Sequence, residues 1–148
     1  MATADVTILN TLLSTVYDSV KGYEESSRDA DSTQVKQLFH EGAKERVAVA
    51  HMLRDEVVRL GGEPTDSPSL LGSAHQAFMK LREMVTDRED KAIIEEVERG
   101  EDYIKEKFET AIGNTDLSPQ TLDVVQQAYQ VVKRGHDRVR DLKQSINA

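Results

Sequence analysis

The sequence predicts an all-α four-helix bundle made of two helical hairpins, and three observations carry that expectation. Apolar residues recur at three- and four-residue spacing through most of the chain, and no stretch shows sustained strand-like alternation. The strongest chain breakers gather between the periodic segments, at Gly61-Gly62 with Pro64 and Pro68, and at Gly113-Asn114 with Pro119. At 148 residues the chain is long enough for one domain, 1–148, with its own core.

The first helix is expected over about 5–30, where Leu9, Leu13, Val16 and Val20 repeat and Asp5 or Thr7 offers a cap. Asp31-Ser32 is a short polar break. A second helix over about 33–60 carries Val35, Leu38, Phe39, Gly42, Val49, Leu53, Val57 and Leu60 on one stripe. Gly61-Gly62 stops it, and the two prolines beyond forbid an immediate restart. A shorter element at about 69–86 places Leu70, Leu71, Ala74, Phe78, Leu81 and Val85 on a narrow apolar face. After the charged joint Asp87 to Asp90, a third main helix over about 89–112 holds Ile93, Ile94, Val97, Ile104, Phe108 and Ile112. Ser118-Pro119 reads as an N-cap with proline at the first helical position, opening the last helix, about 118–145, along Leu122, Val125, Tyr129, Val132, Val139, Leu142 and Ile146. Short joints make antiparallel neighbours. The long middle connection allows a crossover carrying the short helix.

Composition narrows the functional classes. Lys+Arg of 19 against Asp+Glu of 27 gives a net charge of −8, which argues against gripping nucleic-acid phosphates. With no cysteine there is no disulfide framework, thiolate zinc site or cysteine nucleophile. The start MATADVTILN lacks the basic and apolar regions of a signal peptide, and no apolar run is long enough to span a membrane. The expectation is a cytoplasmic domain without membrane attachment.

Charged residues on an apolar stripe need a reason, because burying a carboxylate unpaired is costly. Glu24, Glu45, Glu101 and His136 fall on the apolar stripes, one from each main helix. Counting from the joints, Glu45 is about 13 residues from the first and Glu101 about 14 from the second, so a crossover puts them at one level. Glu24 and His136 then share another level, roughly 9 Å away at ~1.5 Å per residue. Facing carboxylates require a proton or a cation between them. A divalent metal such as iron, manganese or zinc suits carboxylate and imidazole ligands; Arg46, Arg99 or one of the tyrosines Tyr17, Tyr23, Tyr103 and Tyr129 is the ordinary alternative.

The segments Lys21-Gly22-Tyr23-Glu24, Glu45-Arg46, Arg59-Leu60-Gly61-Gly62-Glu63-Pro64, Glu98-Arg99-Gly100-Glu101-Asp102 and His136-Asp137-Arg138-Val139-Arg140 give the chain a family likeness. It resembles the ferritin-like superfamily and, within it, a bacterial family of small four-helix-bundle proteins whose domain has no assigned function. The superfamily's di-iron site takes a Glu from each of two helices and a Glu-x-x-His pair from each of the other two. On that resemblance Glu24 and Glu101 correspond to the single glutamates, Glu45 to the first member of one pair and His136 to the second member of the other. Ala48 stands where a histidine would follow Glu45, and Lys133 where a glutamate would precede His136. The resemblance therefore implies an incomplete ligand set, fit for a single weak metal or a residual polar cluster.

The resulting expectation is a non-catalytic, stress-associated bundle acting by assembly, as a homodimer or other homo-oligomer, or by binding a protein partner. Phe78, Leu81 and Val85 would support a dimer or cover the bundle side. The alternative is an iron- or manganese-binding or redox protein using Glu24, Glu45, Glu101 and His136. A small-ligand carrier with an apolar cavity is the third reading.

Overall fold

A computed structural model describes residues 2–66, 90–114 and 116–147. Four α-helices account for nearly all of them: α1 (Ala2–Asp29), α2 (Thr33–Arg59), α3 (Asp90–Ile112) and α4 (Pro119–Asn147). The expected short helix at 69–86, with Phe78, Leu81 and Val85, lies outside the described residues.

Local chemistry sets the joints. Ser32 caps α2, its hydroxyl accepting from the Val35 amide at 3.4 Å. At the other end of α2 the Gly61 amide donates to the Val58 carbonyl and the Gly62 amide to the Val57 carbonyl, both at 2.9 Å. This is a Schellman closure, and Gly61 adopts the positive φ of 79° that it requires. The Asn114 side chain accepts from the Asp116 amide at 2.8 Å and tightens the joint between α3 and α4.

Three side-chain contacts fix the direction of travel. Asp90, at the start of α3, accepts from the backbone amides of Asp31 (2.8 Å) and Ser32 (2.9 Å), so α3 begins beside the joint of α1 and α2. At the opposite end, Asn10 donates to the Glu63 carbonyl and accepts from the Thr65 amide. There too Asp5 accepts from the Ser118 hydroxyl at 2.7 Å and its amide at 3.2 Å. Helix α2 therefore ends and α3 begins at opposite ends of the bundle, and the order is up-down-down-up. Asp5 is not the cap of α1 that the sequence suggests. It lies inside the first turn, buried, and serves the start of α4 instead.

Helices α1 and α2 form one closely packed hairpin and α3 and α4 the other, with α1 also against α3 and α2 against α4. Their apolar stripes enclose two clusters. One holds Leu9, Leu13, Leu53, Phe108 and Val125. The other holds Tyr23, Phe39, Ile93, Ile94 and Val139. Each residue of this size removes about 1.5–3 kcal/mol worth of apolar surface from water.

A polar network closes the end of the bundle near Asp5. The buried Glu56 carboxylate takes two hydrogen bonds from Arg59 (2.6 and 2.7 Å) and one from the Thr121 hydroxyl (2.8 Å). Arg59 first, then Thr121, holds the Glu56 carboxyl below its ordinary value against the opposing effect of burial. A carboxyl depressed in the folded state adds stability above its unfolded value and loses it as pH falls through the folded one. We therefore expect the thermal midpoint to decline between about pH 5 and pH 3, and less steeply in Glu56→Gln. Parallel declines in the two proteins, followed by circular dichroism, would remove Glu56 from the acid response.

Candidate functional site

Between the two apolar clusters the core changes character. In α1 the inward positions Leu9, Leu12, Val16, Ser19, Tyr23 and Ser26 follow alternating steps of three and four residues. The same alternation gives Phe39, Gly42, Arg46, Val49 and Leu53 in α2, and Ile94, Val97, Glu101, Ile104 and Phe108 in α3. In α4 it gives Val125, Ala128, Val132, Gly135 and Val139. At one level these four seams present Ser19, Arg46, Glu101 and Gly135.

Arg46 crosses the interior at this level. Its side chain is 1% exposed and that of Glu101 is 2% exposed. One guanidinium nitrogen, Nη2, donates to Glu101 Oε2 at 2.5 Å and to the Val132 carbonyl at 3.3 Å. The other, Nη1, donates to the Ser19 hydroxyl at 2.8 Å. The guanidinium carbon stands 5.5 Å from the centre of the Tyr23 ring. Tyr23 lies within the electrostatic reach of Glu101 and packs at a tilt against Phe39, with ring centroids 5.9 Å apart. One arginine thus joins all four helices.

Two glycines make room for this arrangement. A Cβ at Gly42 would lie 2.6 Å from a Tyr23 ring carbon, and one at Gly135 would lie 2.7 Å from Arg46 Nη2. Electrostatics keep the cation charged. Burial alone would weaken it, but the Glu101 carboxylate and then Tyr23 outweigh that effect and raise Arg46 above its ordinary value. Burial, and then Glu101, hold the Tyr23 phenol well above its own ordinary value.

The four residues singled out from sequence are not brought together. Glu24 is exposed on α1, against the expectation that it faces inward. Glu45 is half-buried at the edge of the seam between α2 and α4, where it accepts from Arg138 at 2.7 Å. His136 meets Asp102 through Nε2 at 2.7 Å and Asp137 through Nδ1 at 3.2 Å, both near the surface. Of the four, Glu101 alone lies in the interior. It is Arg46, the residue after Glu45, that meets Glu101. The expected pairing of levels between Glu24 and His136 has no counterpart in their contacts.

These residues do not fit a metal of the superfamily type. A di-iron centre needs several carboxylates and imidazoles converging on one space. Here Glu101 is already bonded to a fixed cation, Glu45 to another, and His136 points to Asp102. Among the described residues no group of three or more His, Asp or Glu side chains is arranged to hold a metal ion. A small cavity of about 40 Å³ between α1 and α3 is lined by Asp18, Ser26, Glu96 and Tyr103, among others.

The sequence matches the family described as "Domain of unknown function (DUF2383)" over residues 4–114. The chain belongs to the DUF2383 family. Among solved structures this DUF2383 protein is similar to a dodecameric thioferritin, the bacterioferritin-related protein of Bacteroides fragilis. The TM-score is 0.79 at 16% identity, covering 99% of this chain and 88% of that one. It is also similar to a two-domain protein of Anabaena variabilis with DJ-1/ThiJ/PfpI-like and ferritin-like domains. There the TM-score is 0.76 at 16% identity, and the match covers 99% of this chain but 38% of that one. At such identity the likeness establishes the fold, an all-α ferritin-like four-helix bundle. No curated protein matches the sequence. Among the described residues no helix is long and apolar enough to cross a membrane.

Proposed function

We propose that this DUF2383 protein is a non-catalytic, metal-independent bundle that works by homo-oligomeric assembly or by docking a protein partner in the bacterial cytoplasm, in a stress-associated role. One observation carries the reading. The interior level where a ferritin-like bundle could gather metal ligands is filled by Arg46, bonded to Ser19, Glu101 and the Val132 carbonyl of the other three helices. A fixed positive charge there repels a divalent ion and occupies the carboxylate that would bind it. Such a bundle is left with its outer surface as the working part. The dodecameric assembly named for the Bacteroides fragilis protein supports self-association as the first form to look for.

The competing reading is an iron or manganese centre using Glu24, Glu45, Glu101 and His136. Metal analysis of the purified protein, after adding back Fe²⁺ or Mn²⁺ without oxygen, separates the two. The expected result is no stoichiometric metal, with sedimentation reporting a single species larger than one chain. Stoichiometric metal that disappears in both Glu45→Ala and Glu101→Ala would replace this reading by the metal centre. A monomer at micromolar concentration would instead leave partner docking as the working mode.

A further inference from the structure

The Arg46 level has the make-up of a binding site whose occupant is covalently attached. Among the described residues, the groups that hold the guanidinium are acceptors or a π face: the Ser19 hydroxyl, the Glu101 carboxylate, the Val132 carbonyl and the Tyr23 ring. Gly135 supplies the remaining wall as a gap, since a Cβ there would stand 2.7 Å from Nη2. We infer that this level of the bundle is a cation site specific for a planar guanidinium, with the Arg46 side chain as its built-in ligand in place of a metal ion.

The geometry distinguishes a guanidinium from other cations. The acceptors come from three different helices and meet two separate terminal nitrogens, Nη1 and Nη2. A planar, delocalised cation with several fixed donors can address them together, whereas an ammonium is a compact point charge. A divalent metal requires several anionic or imidazole ligands, and among the described residues a single carboxylate reaches the guanidinium. The Tyr23 face favours the flat, weakly hydrated cation again. The inference rests on the metal-independent reading above, but concerns what the site accepts rather than whether the protein assembles.

Cutting the ligand from its tether tests the assignment. Arg46→Ala in the full chain leaves the acceptors and a space of guanidinium shape. Its thermal midpoint is expected to fall by roughly 10 °C, because one partner of a buried pair is lost. Guanidinium chloride at about 20 mM, well below denaturing concentrations, is expected to raise that midpoint by several degrees. Equal KCl or methylammonium chloride should not, and wild type should show no rise. Glu101→Gln in the Arg46→Ala background should abolish the rescue. Equal responses to guanidinium and potassium would overturn the assignment.

Should Arg46→Ala not fold alone, recovery of helical signal on refolding with guanidinium, and not with KCl, supports the assignment in the same way; equal recovery in both salts overturns it. The wild-type chain gives an independent readout. Arg46 Nη protons should appear as resolved, slowly exchanging signals in nitrogen-15 spectra, and averaging with the surface arginines would overturn the inference. Sedimentation of the same wild-type sample reports separately on assembly, so a failed guanidinium test is distinguishable from a failure to assemble.

Discussion

Glu101→Leu is expected to cost this bundle roughly 3–5 kcal/mol, among the largest effects of any single substitution, because it strands the Arg46 charge in the interior. The reason is the asymmetry of buried ion pairs. Both side chains are almost wholly withdrawn from water, so each depends on the other to offset its desolvation. Removing both is a different matter. The double variant Arg46→Met/Glu101→Leu replaces the pair by apolar side chains of similar length and is expected to recover most of the loss. Ser19 and the Val132 carbonyl each lose a partner, so some deficit remains. Urea unfolding of wild type, the two single variants and the double variant gives the coupling energy directly, and a value of several kcal/mol is expected. Single variants that each cost under about 1 kcal/mol would mean that water reaches the pair.

The double variant also addresses why a charged centre is kept where hydrocarbon would do. An apolar seam of four similar helices tolerates sliding, since one heptad layer resembles the next. A guanidinium that must find one hydroxyl, one carboxylate and one carbonyl on three other helices makes all three bonds in a single register. If that is its role, the double variant will be stable yet less well ordered, with broader amide resonances than wild type.

The helices are legible in the sequence because their periodicity runs over more than twenty residues each, and only a helix buries a stripe of that length and spacing. The crossover is legible too, from a long middle connection between two short joints. The interior site is harder to read, because small angular errors decide it. Glu45 and His136 have ligand chemistry and stand at helical distances from Leu38 and Tyr129, but those two residues lie at the edges of their stripes. The narrower three-four alternation passes through Arg46 and Gly135 instead, one residue away and about 100° around each helix. Glu101 falls on that alternation, and its inward position follows from the pattern. Arg46 gives little sign of its place, because arginine is rarely buried without a partner, and its partner stands 55 positions away. Gly135 carries no signal at all, since a gap acquires meaning only from the side chain that fills it. Asp5 looks like a local cap for the same reason: Ser118 is 113 positions distant.

Three glycines in the middle of helices should respond to alanine in opposite directions, and the contrast tests the packing of the centre more sharply than any one of them. Alanine is favoured over glycine within a helix by roughly 0.5–1 kcal/mol, so the default expectation is a gain. Gly22 should show it, because a Cβ there meets nothing within 4 Å. Gly42 should not. Its Cβ would stand 2.6 to 2.9 Å from three Tyr23 ring carbons. That ring is held from behind by Phe39 and on its face by Arg46. With the ring unable to retreat, overpacking of about 1–3 kcal/mol exceeds the helical gain and Gly42→Ala is destabilising. Gly135 falls between, since its Cβ would meet the far end of a side chain, but a side chain tied down by three hydrogen bonds. Moving Nη2 weakens the contact with Glu101, so a net loss is expected there too. The decisive measurement is the change of sign with context. In a Tyr23→Leu background the obstructing ring is gone, and Gly42→Ala should turn from loss to gain while Gly22→Ala stays as it was. If Gly42→Ala stabilises the wild-type chain, the Tyr23 ring is free to move and the centre is looser than its hydrogen bonds imply.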